Sequence, residues 1–181
     1  MRATAFAALT LAAATTFATV SPAAAQFVSE IKGGVLAHDV PDLWSGFSLE
    51  TDAVDINVEA ILSPRLPFLF GVIQPAIGAS INTGGGTSHV YLDARWQVDL
   101  PAGFFFGTGV GIAIHDGELD PVKADMKALG SRALFHIPFE LGLRFDRHNS
   151  LSVYFEHTSN AGLADSNEGM DRLGVRYGYK F

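Results

Sequence analysis

His89-Val-Tyr-Leu-Asp-Ala-Arg-Trp-Gln-Val-Asp-Leu100 alternates at every step. Val90, Leu92, Ala94, Trp96, Val98 and Leu100 fall on one side of an extended chain, and Tyr91, Asp93, Arg95, Gln97 and Asp99 on the other. Successive strand side chains point to opposite faces, so a period of two marks a strand with one apolar and one polar face. The period recurs on both sides of this stretch. Phe104 to His115 sets Phe104, Phe106, Val110, Ile112 and Ile114 opposite Gly107, Gly109, Gly111 and Ala113, and small inward residues suit a narrow barrel. Arg132 to Phe145 sets Ala133, Phe135, Ile137, Phe139, Leu141, Leu143 and Phe145 against Arg132, His136, Glu140 and Arg144. Glu50 to Leu62 divides as cleanly, with Asp55, Asn57 and Glu59 on its polar side.

Two further segments are weaker. Val28 to His38 places Ile31, Val35 and Ala37 on one face, and Leu66 to Ile81 is expected to carry a bulge, because Pro67 and Pro75 each remove a ladder donor. A final pair, Leu151 to Ser159 and Asp171 to Phe181, brings the total to eight strands. His115 to Ser131 is the longest connection. Its Asp120-Pro121 start and Ala/Lys/Met/Leu content up to Gly130 predict a short capped helix. The glycines of Asn82 to Ser88 form a loop rather than a phosphate cradle, since neither a helix pattern nor a lysine follows.

Alternation alone does not say which face is inside. A soluble, lipocalin-like barrel buries its apolar face, whereas a membrane barrel turns that face to lipid. Three features favour the membrane. Ten residues rising about 3.4 Å each at a tilt of about 45° span roughly the 25 Å apolar band of an outer membrane. Asp93, Arg95, Glu140 and Arg144 are more charge than a small soluble core holds without partners, and they read as an interior ion-pair network. The connections at Ser63 to Arg65, Pro101 to Gly103 and Asp146 to Ser150 are short while the alternate ones are mostly longer, matching periplasmic turns and outer loops. The expected fold is therefore all-β, an eight-stranded antiparallel transmembrane barrel of the bacterial outer membrane. Its last strand alternates Leu173, Val175, Tyr177 and Tyr179 up to Phe181, which resembles the C-terminal signal read by the outer-membrane assembly machinery.

The rest of the composition agrees. Arg2 is the only charge before Glu30, and an Ala/Leu/Phe-rich run leads to Ala23-Ala24-Ala25. These are the parts of a secretory signal peptide, so residues 1–25 are expected to be removed and 26–181 to form one barrel domain. Thr10, Thr15, Thr16, Thr19, Ser21 and Pro22 interrupt the run and argue against a membrane anchor. The chain contains no cysteine, so an exported fold must rest on pairing and burial without disulfides. Removing Arg2 leaves 11 basic against 19 acidic residues, a balance that argues against nucleic acid as a partner. His38, His89, His115, His136 and His148 show no metal-ligand spacing, and no metal or cofactor is expected. Trp44 and Trp96 read as interface anchors.

The last hairpin carries the chemistry. His157, Ser159 and Asp171 share the parity of Leu151, Val153 and Phe155 or of Leu173 to Phe181, so all three point out of the barrel beside the loop that joins their strands. With an even strand number both termini are periplasmic, and this loop lies at the outer rim. Polar groups facing lipid are costly, although His, Ser, Asn and Asp are also ordinary at the wet tip of a hairpin. The residue set is that of a triad in which His deprotonates Ser and a carboxylate orients the imidazole.

His157-Thr-Ser159-Asn160-Ala161-Gly162, then Asn167-Glu-Gly169-Met-Asp171 and a closing aromatic strand, resembles the signature of the lipid A 3-O-deacylases of the PagL type. Those are eight-stranded outer-membrane barrels with a His-Ser-Glu triad on their outer wall. The motif covers about 25 residues, and the rest of the chain matches as architecture. The resemblance implies Ser159 as nucleophile, His157 as general base, and Asn160 with the backbone at Ala161 and Gly162 as oxyanion stabiliser. Asp171 stands where the family has Glu, with Glu168 and Asp165 as nearby substitutes. Asn167 and Gly169 shape the loop.

The implied activity is hydrolysis of the ester-linked 3-hydroxyacyl chain at position 3 of lipid A. The implied partners are lipopolysaccharide and the outer-membrane bilayer, and a homodimer is compatible. A phosphate ligand does not stand out, because parity turns Arg172 inward and topology places Lys180 at the periplasmic end. The competing class is a non-catalytic small outer-membrane barrel serving structure, adhesion or narrow transport.

Overall fold

Nine strands form one antiparallel sheet in the computed structural model, which describes residues 27–50 and 54–181. They are β1 (Val28–Ala37), β2 (Val54–Leu62), β3 (Leu66–Phe68), β4 (Gly71–Asn82), β5 (His89–Asp99), β6 (Phe104–His115), β7 (Ala133–Arg144), β8 (Asn149–Ser159) and β9 (Met170–Lys180). The expected signal peptide lies outside the described residues. Each long strand pairs with its neighbours in the chain, β9 pairs with β1 and β2 with β4, so eight strands close into a barrel without a free edge. The seam is tight: a Cβ on Gly34 would lie 2.1 Å from the Val175 carbonyl oxygen, and one on Gly174 2.1 Å from that of Val35.

Two expectations need correction. The segment Leu66 to Ile81 is two strands, because the chain reverses at Leu69, which has a φ of 51°, and Phe70. The short β3 then covers the edge of β4 below the end of β2. Pro75 lies one position beyond the last β2–β4 pair, Ala76 opposite Ile61, and the Leu62 carbonyl accepts the Gln74 side-chain amide at 2.7 Å. The second correction is the expected helix near Asp120 to Gly130, which does not form. That segment's backbone groups bond across loops instead: Leu129 N–H to the Glu118 carbonyl, Ala128 N–H to Glu168, and Lys127 N–H to Glu50. Tertiary partners replace the i→i−4 ladder that a short helix would need.

Burial settles which face is in. Val58, Leu92, Val110, Ile112, Leu141, Val153 and Val175 are exposed, while Lys32, Asp55, Glu59, Asp93, Arg95, Glu140, Glu156, Arg172 and Arg176 are buried. The interior is a charge network. Glu140 Oε2 accepts from Lys32 at 2.7 Å, Arg95 at 3.0 Å and Arg176 at 2.8 Å, and Oε1 accepts from Ser152 at 2.6 Å. Nearer the looped end, Arg172 pairs with Asp55, and His136 bridges Asp93 and Glu156. Mutual pairing offsets the desolvation cost that isolated charges would carry here. The expected network is thus present and wider than Asp93, Arg95, Glu140 and Arg144, the last of which pairs with Asp99 at the rim.

Connections at 63–65, 101–103 and 145–148 close one end, and those that include 38–50, 83–88, 116–132 and 160–169 rise from the other. No helix among the described residues is long and apolar enough to cross a membrane. The strands do so, with the apolar belt outward.

Candidate active site

β8 and β9 pair in a register that sets His157 directly opposite Asp171. Directly paired residues have Cβ atoms about 4.5–5.5 Å apart, within reach of an imidazole–carboxylate bond. The bond is made: His157 Nδ1 lies 2.7 Å from Asp171 Oδ1. Ser159 follows His157 by two positions, which keeps it on the same outward face, and its Oγ lies 2.9 Å from His157 Nε2. A serine hydroxyl, an imidazole and a carboxylate thus form one hydrogen-bonded line on the outside of the barrel. This arrangement can pass the serine proton to Nε2 while the carboxylate holds Nδ1 and stabilises the imidazolium.

Asp171 is fully buried in spite of its outward parity. The connection between β1 and β2 folds down over it, and Ser45 N–H donates to Asp171 Oδ2 at 2.6 Å. Beside it, Trp44 stacks on the His157 ring with centroids 4.4 Å apart and planes 8° from parallel. His157 is 4% exposed as a result, and Ser159 stays half-buried. Trp44, expected as an interface anchor, packs on the imidazole instead, and nothing in the local sequence marks Ser45. Ser45 and Asp171 are 126 positions apart, and no periodicity links them.

The β8–β9 loop is a braced turn. Ala161 has a φ of 56° and Gly162 of 76°, and Leu163 N–H returns to the Asn160 carbonyl at 3.1 Å, so the turn is of the primed type. Asn160 is spent inside it. Its amide donates to the Leu129 and Ser166 carbonyls at 2.8 and 2.6 Å, its Oδ1 accepts from Gly162 N–H at 2.9 Å, and its own N–H goes to Asn167 Oδ1 at 2.9 Å. Of the three expected oxyanion donors, Ala161 N–H alone has no hydrogen-bond partner among the described residues. Gly169, at a φ of 61°, lies against the His157 ring: a Cβ there would be 3.3 Å from Cε1. Glu168 takes no part in the line, because its carboxylate accepts from Ala128 N–H at 2.6 Å, and Asp165 is exposed in the loop.

Next to Ser159, whose register partner is Phe135, a groove of about 290 Å³ opens on the outer wall. Ile112, Ala133, Phe135, Leu163 and Ala164 make it largely apolar, and Asn160 lies at its edge.

Inside the barrel, His89, His136 and Glu156 offer ligand atoms within 4.8 Å of one another, a spacing that could hold a metal ion. The sequence could not show this set, because β5, β7 and β8 bring it together across the barrel. Two facts weigh against a cation. His136 is bonded to Asp93 at 2.9 Å and to Glu156 at 3.2 Å, and the Arg172 guanidinium lies 3.8 Å from Glu156. The outer-face line of Ser159, His157 and Asp171 is separate from this set.

The family described as lipid A 3-O-deacylase (PagL) matches residues 70–180. No curated protein matches the chain. Similar solved structures include the crystal structure of the outer membrane enzyme PagL, at 18% identity and a TM-score of 0.65, covering 84% of this chain and 100% of that one. Another is the backbone structure of the Yersinia pestis outer membrane protein Ail in a phospholipid bilayer nanodisc, at 13% identity and a TM-score of 0.48, covering 86% and 99%. The likeness to the PagL structure is one of fold.

Proposed function

The chain belongs to the lipid A 3-O-deacylase family, whose match spans more than half its length, and from that premise we propose that it is an outer-membrane esterase that removes the 3-hydroxyacyl chain ester-linked at position 3 of lipid A. The observation that carries this reading is the hydrogen-bonded line Ser159–His157–Asp171 on the lipid-facing wall. A membrane lipid reaches such a site by lateral diffusion, and the adjoining apolar groove receives its acyl chain. With the looped end of the barrel outermost, the site stands at the outer leaflet, where lipopolysaccharide resides.

In this reading Ser159 Oγ attacks the ester carbonyl carbon as its proton passes to His157 Nε2, and Asp171 stabilises the imidazolium. The tetrahedral oxyanion is met by Ala161 N–H, in a turn that Asn160 and Gly162 hold open, with Asn167 and Gly169 setting the loop's path. On collapse the sugar oxygen leaves and takes the proton from His157. Water, deprotonated by the same imidazole, then attacks the acyl-serine, releasing a 3-hydroxy fatty acid and restoring Ser159. No cofactor enters. Residues 1–25 serve as an export signal, and Phe181 engages the assembly machinery.

The test is mass spectrometry of lipid A after incubating lipopolysaccharide with the purified barrel. Loss of one 3-hydroxyacyl group is expected from the natural protein and none from Ser159→Ala. Unchanged lipid A, or equal loss with the variant, would sink the enzyme in favour of a non-catalytic barrel.

A further inference from the structure

The connection between β1 and β2 is held at both ends inside the barrel mouth and touches the triad at its middle. Asp39 Oδ2 accepts the Leu49 and Glu50 N–H groups at 2.7 and 3.0 Å, and Asp39 Oδ1 pairs with Lys127 at 2.7 Å. Lys127 also donates to the Phe47 carbonyl at 2.6 Å. Between these anchors the chain passes over the rim, so that Trp44 and Ser45 come down on the outer wall against His157 and Asp171. The reaction steps above use neither residue.

We propose that residues 39–50 form an outer strap whose Trp44 ring and Ser45 main chain position the His157–Asp171 pair for proton transfer. This rests on the esterase reading of the site. Asp171 has two carboxylate oxygens, and only Oδ1 is held by His157. A carboxylate held at one oxygen can rotate about its χ2. The Ser45 N–H bond at Oδ2 fixes its plane. The imidazole has an equivalent freedom, because a ring bonded at Nδ1 still rocks about that bond and carries Nε2 off Ser159. Trp44 closes one face of the ring in nearly parallel contact, and Phe139, with its centroid 6.5 Å from that of Trp44, flanks the indole on the barrel wall.

The contact also bears on the charge that develops. His157 gains a proton as Ser159 attacks, and a cation over an indole face is stabilised by the ring quadrupole, most strongly where water is excluded. Trp44 is 55% exposed while His157 beneath it is 4% exposed and Asp171 fully buried, so the indole covers the His157–Asp171 bond against lipid and interfacial water. A tryptophan serving only as a membrane anchor would need no register with the imidazole. One serving as a substrate contact would lie over the groove beside Phe135 and Leu163, and Trp44 does not line that groove.

Two readouts on the folded barrel in detergent test the strap. The rate at which an alkyl fluorophosphonate labels Ser159 reads activation of the nucleophile without lipid A, and acyl release from lipopolysaccharide gives kcat and KM. Trp44→Ala, with folding checked by the heat-dependent shift in gel mobility, is expected to slow labelling by about tenfold or more and to lower kcat to match. KM should stay within about twofold, and the pH of half-maximal labelling should move. Trp44→Leu, which keeps bulk without a ring, should behave like Trp44→Ala, and Trp44→Phe should recover most of the rate. Labelling of Trp44→Ala at the natural rate, a loss confined to KM, or no recovery in Trp44→Phe overturns the strap. Should the natural protein label at Ser159 in a Trp44-dependent way yet release no acyl chain, the deacylase reading fails and the strap stands. Absence of labelling in the natural protein overturns both.

Discussion

Asp171 shows how one methylene is absorbed by register. The resemblance at the last hairpin implies a glutamate at this place in the family, and a shorter acid could fall short of the imidazole. Direct pairing of His157 with Asp171 removes the shortfall, because the two Cβ atoms stand at cross-strand distance and a carboxylate on the shorter stem spans the rest at 2.7 Å. A longer acid must buckle. Asp171→Glu is therefore expected to keep measurable activity but to lose up to about tenfold in fluorophosphonate labelling, because it gives up the Ser45 contact that fixes its plane. On the proposed mechanism Asp171→Asn removes the charge that stabilises the imidazolium, and it should cost on the order of 10²–10⁴-fold. Equal rates for Asp171→Asn and the natural protein would exclude Asp171 from the reaction.

The loops around the candidate site are braced from inside the barrel. Glu50 anchors one end of the strap. Burial pushes its pKa up, but hydrogen bonds from His38, the Thr87 and Lys127 N–H groups and the Thr87 hydroxyl outweigh that and hold it at about 2 against an ordinary 4.5. A carboxyl held low in the folded state stabilises it fully above its ordinary pKa and stops doing so as pH falls through the folded value. The strap should accordingly loosen between about pH 4.5 and 2. His38 adds a limit at the other side. Burial lowers its pKa, but the Asp55 and Glu50 bonds outweigh this and leave it raised above 6.5, so its contribution is present below 6.5 and lost as pH climbs through the folded value. In a Trp96→Phe background, Trp44 is the remaining indole and its emission reports the strap. A transition on acidification below pH 4.5 is expected, and it should disappear in Glu50→Gln. If it persists there, the Glu50 anchor does not govern it.

The whole molecule is an inverted globule, apolar outside and charged within, so its stability hinges on pairing in the lumen. Glu140 is the node, since one of its oxygens receives Lys32, Arg95 and Arg176. Removing it takes from three buried cations the acceptor they share, and Glu140→Ala is expected to cost about 3–5 kcal/mol in urea titrations followed by gel mobility. A change under about 1 kcal/mol would mean that Glu59, which also pairs with Arg176 and Arg95, takes over the load. Closure is the other condition. Gly34 leaves no room for a side chain against the Val175 carbonyl, so Gly34→Val should block the β1–β9 seam and abolish the compact, heat-modifiable form. A normally folded Gly34→Val barrel would show that the seam can shift register.

Taken alone, the amino-acid order determined the period of the strands, their number around the barrel, the face each residue presents, and the gathering of His157, Ser159 and Asp171 at one hairpin. All of these are local: an i, i+2 relation within a strand and a pairing between consecutive strands follow from backbone geometry. The tertiary structure decided the rest. It broke the third segment at Leu69 and Phe70, and it denied a helix to the residues near Asp120 to Gly130 by giving their backbone groups partners in other loops. It spent Asn160 on bracing the turn, drew His89, His136 and Glu156 together across the lumen, and laid Trp44 and Ser45 on the triad. Periodicity states which way a side chain points. What it meets there depends on closure of the barrel and the path of loops between distant anchors, and no local pattern in the chain carries that information.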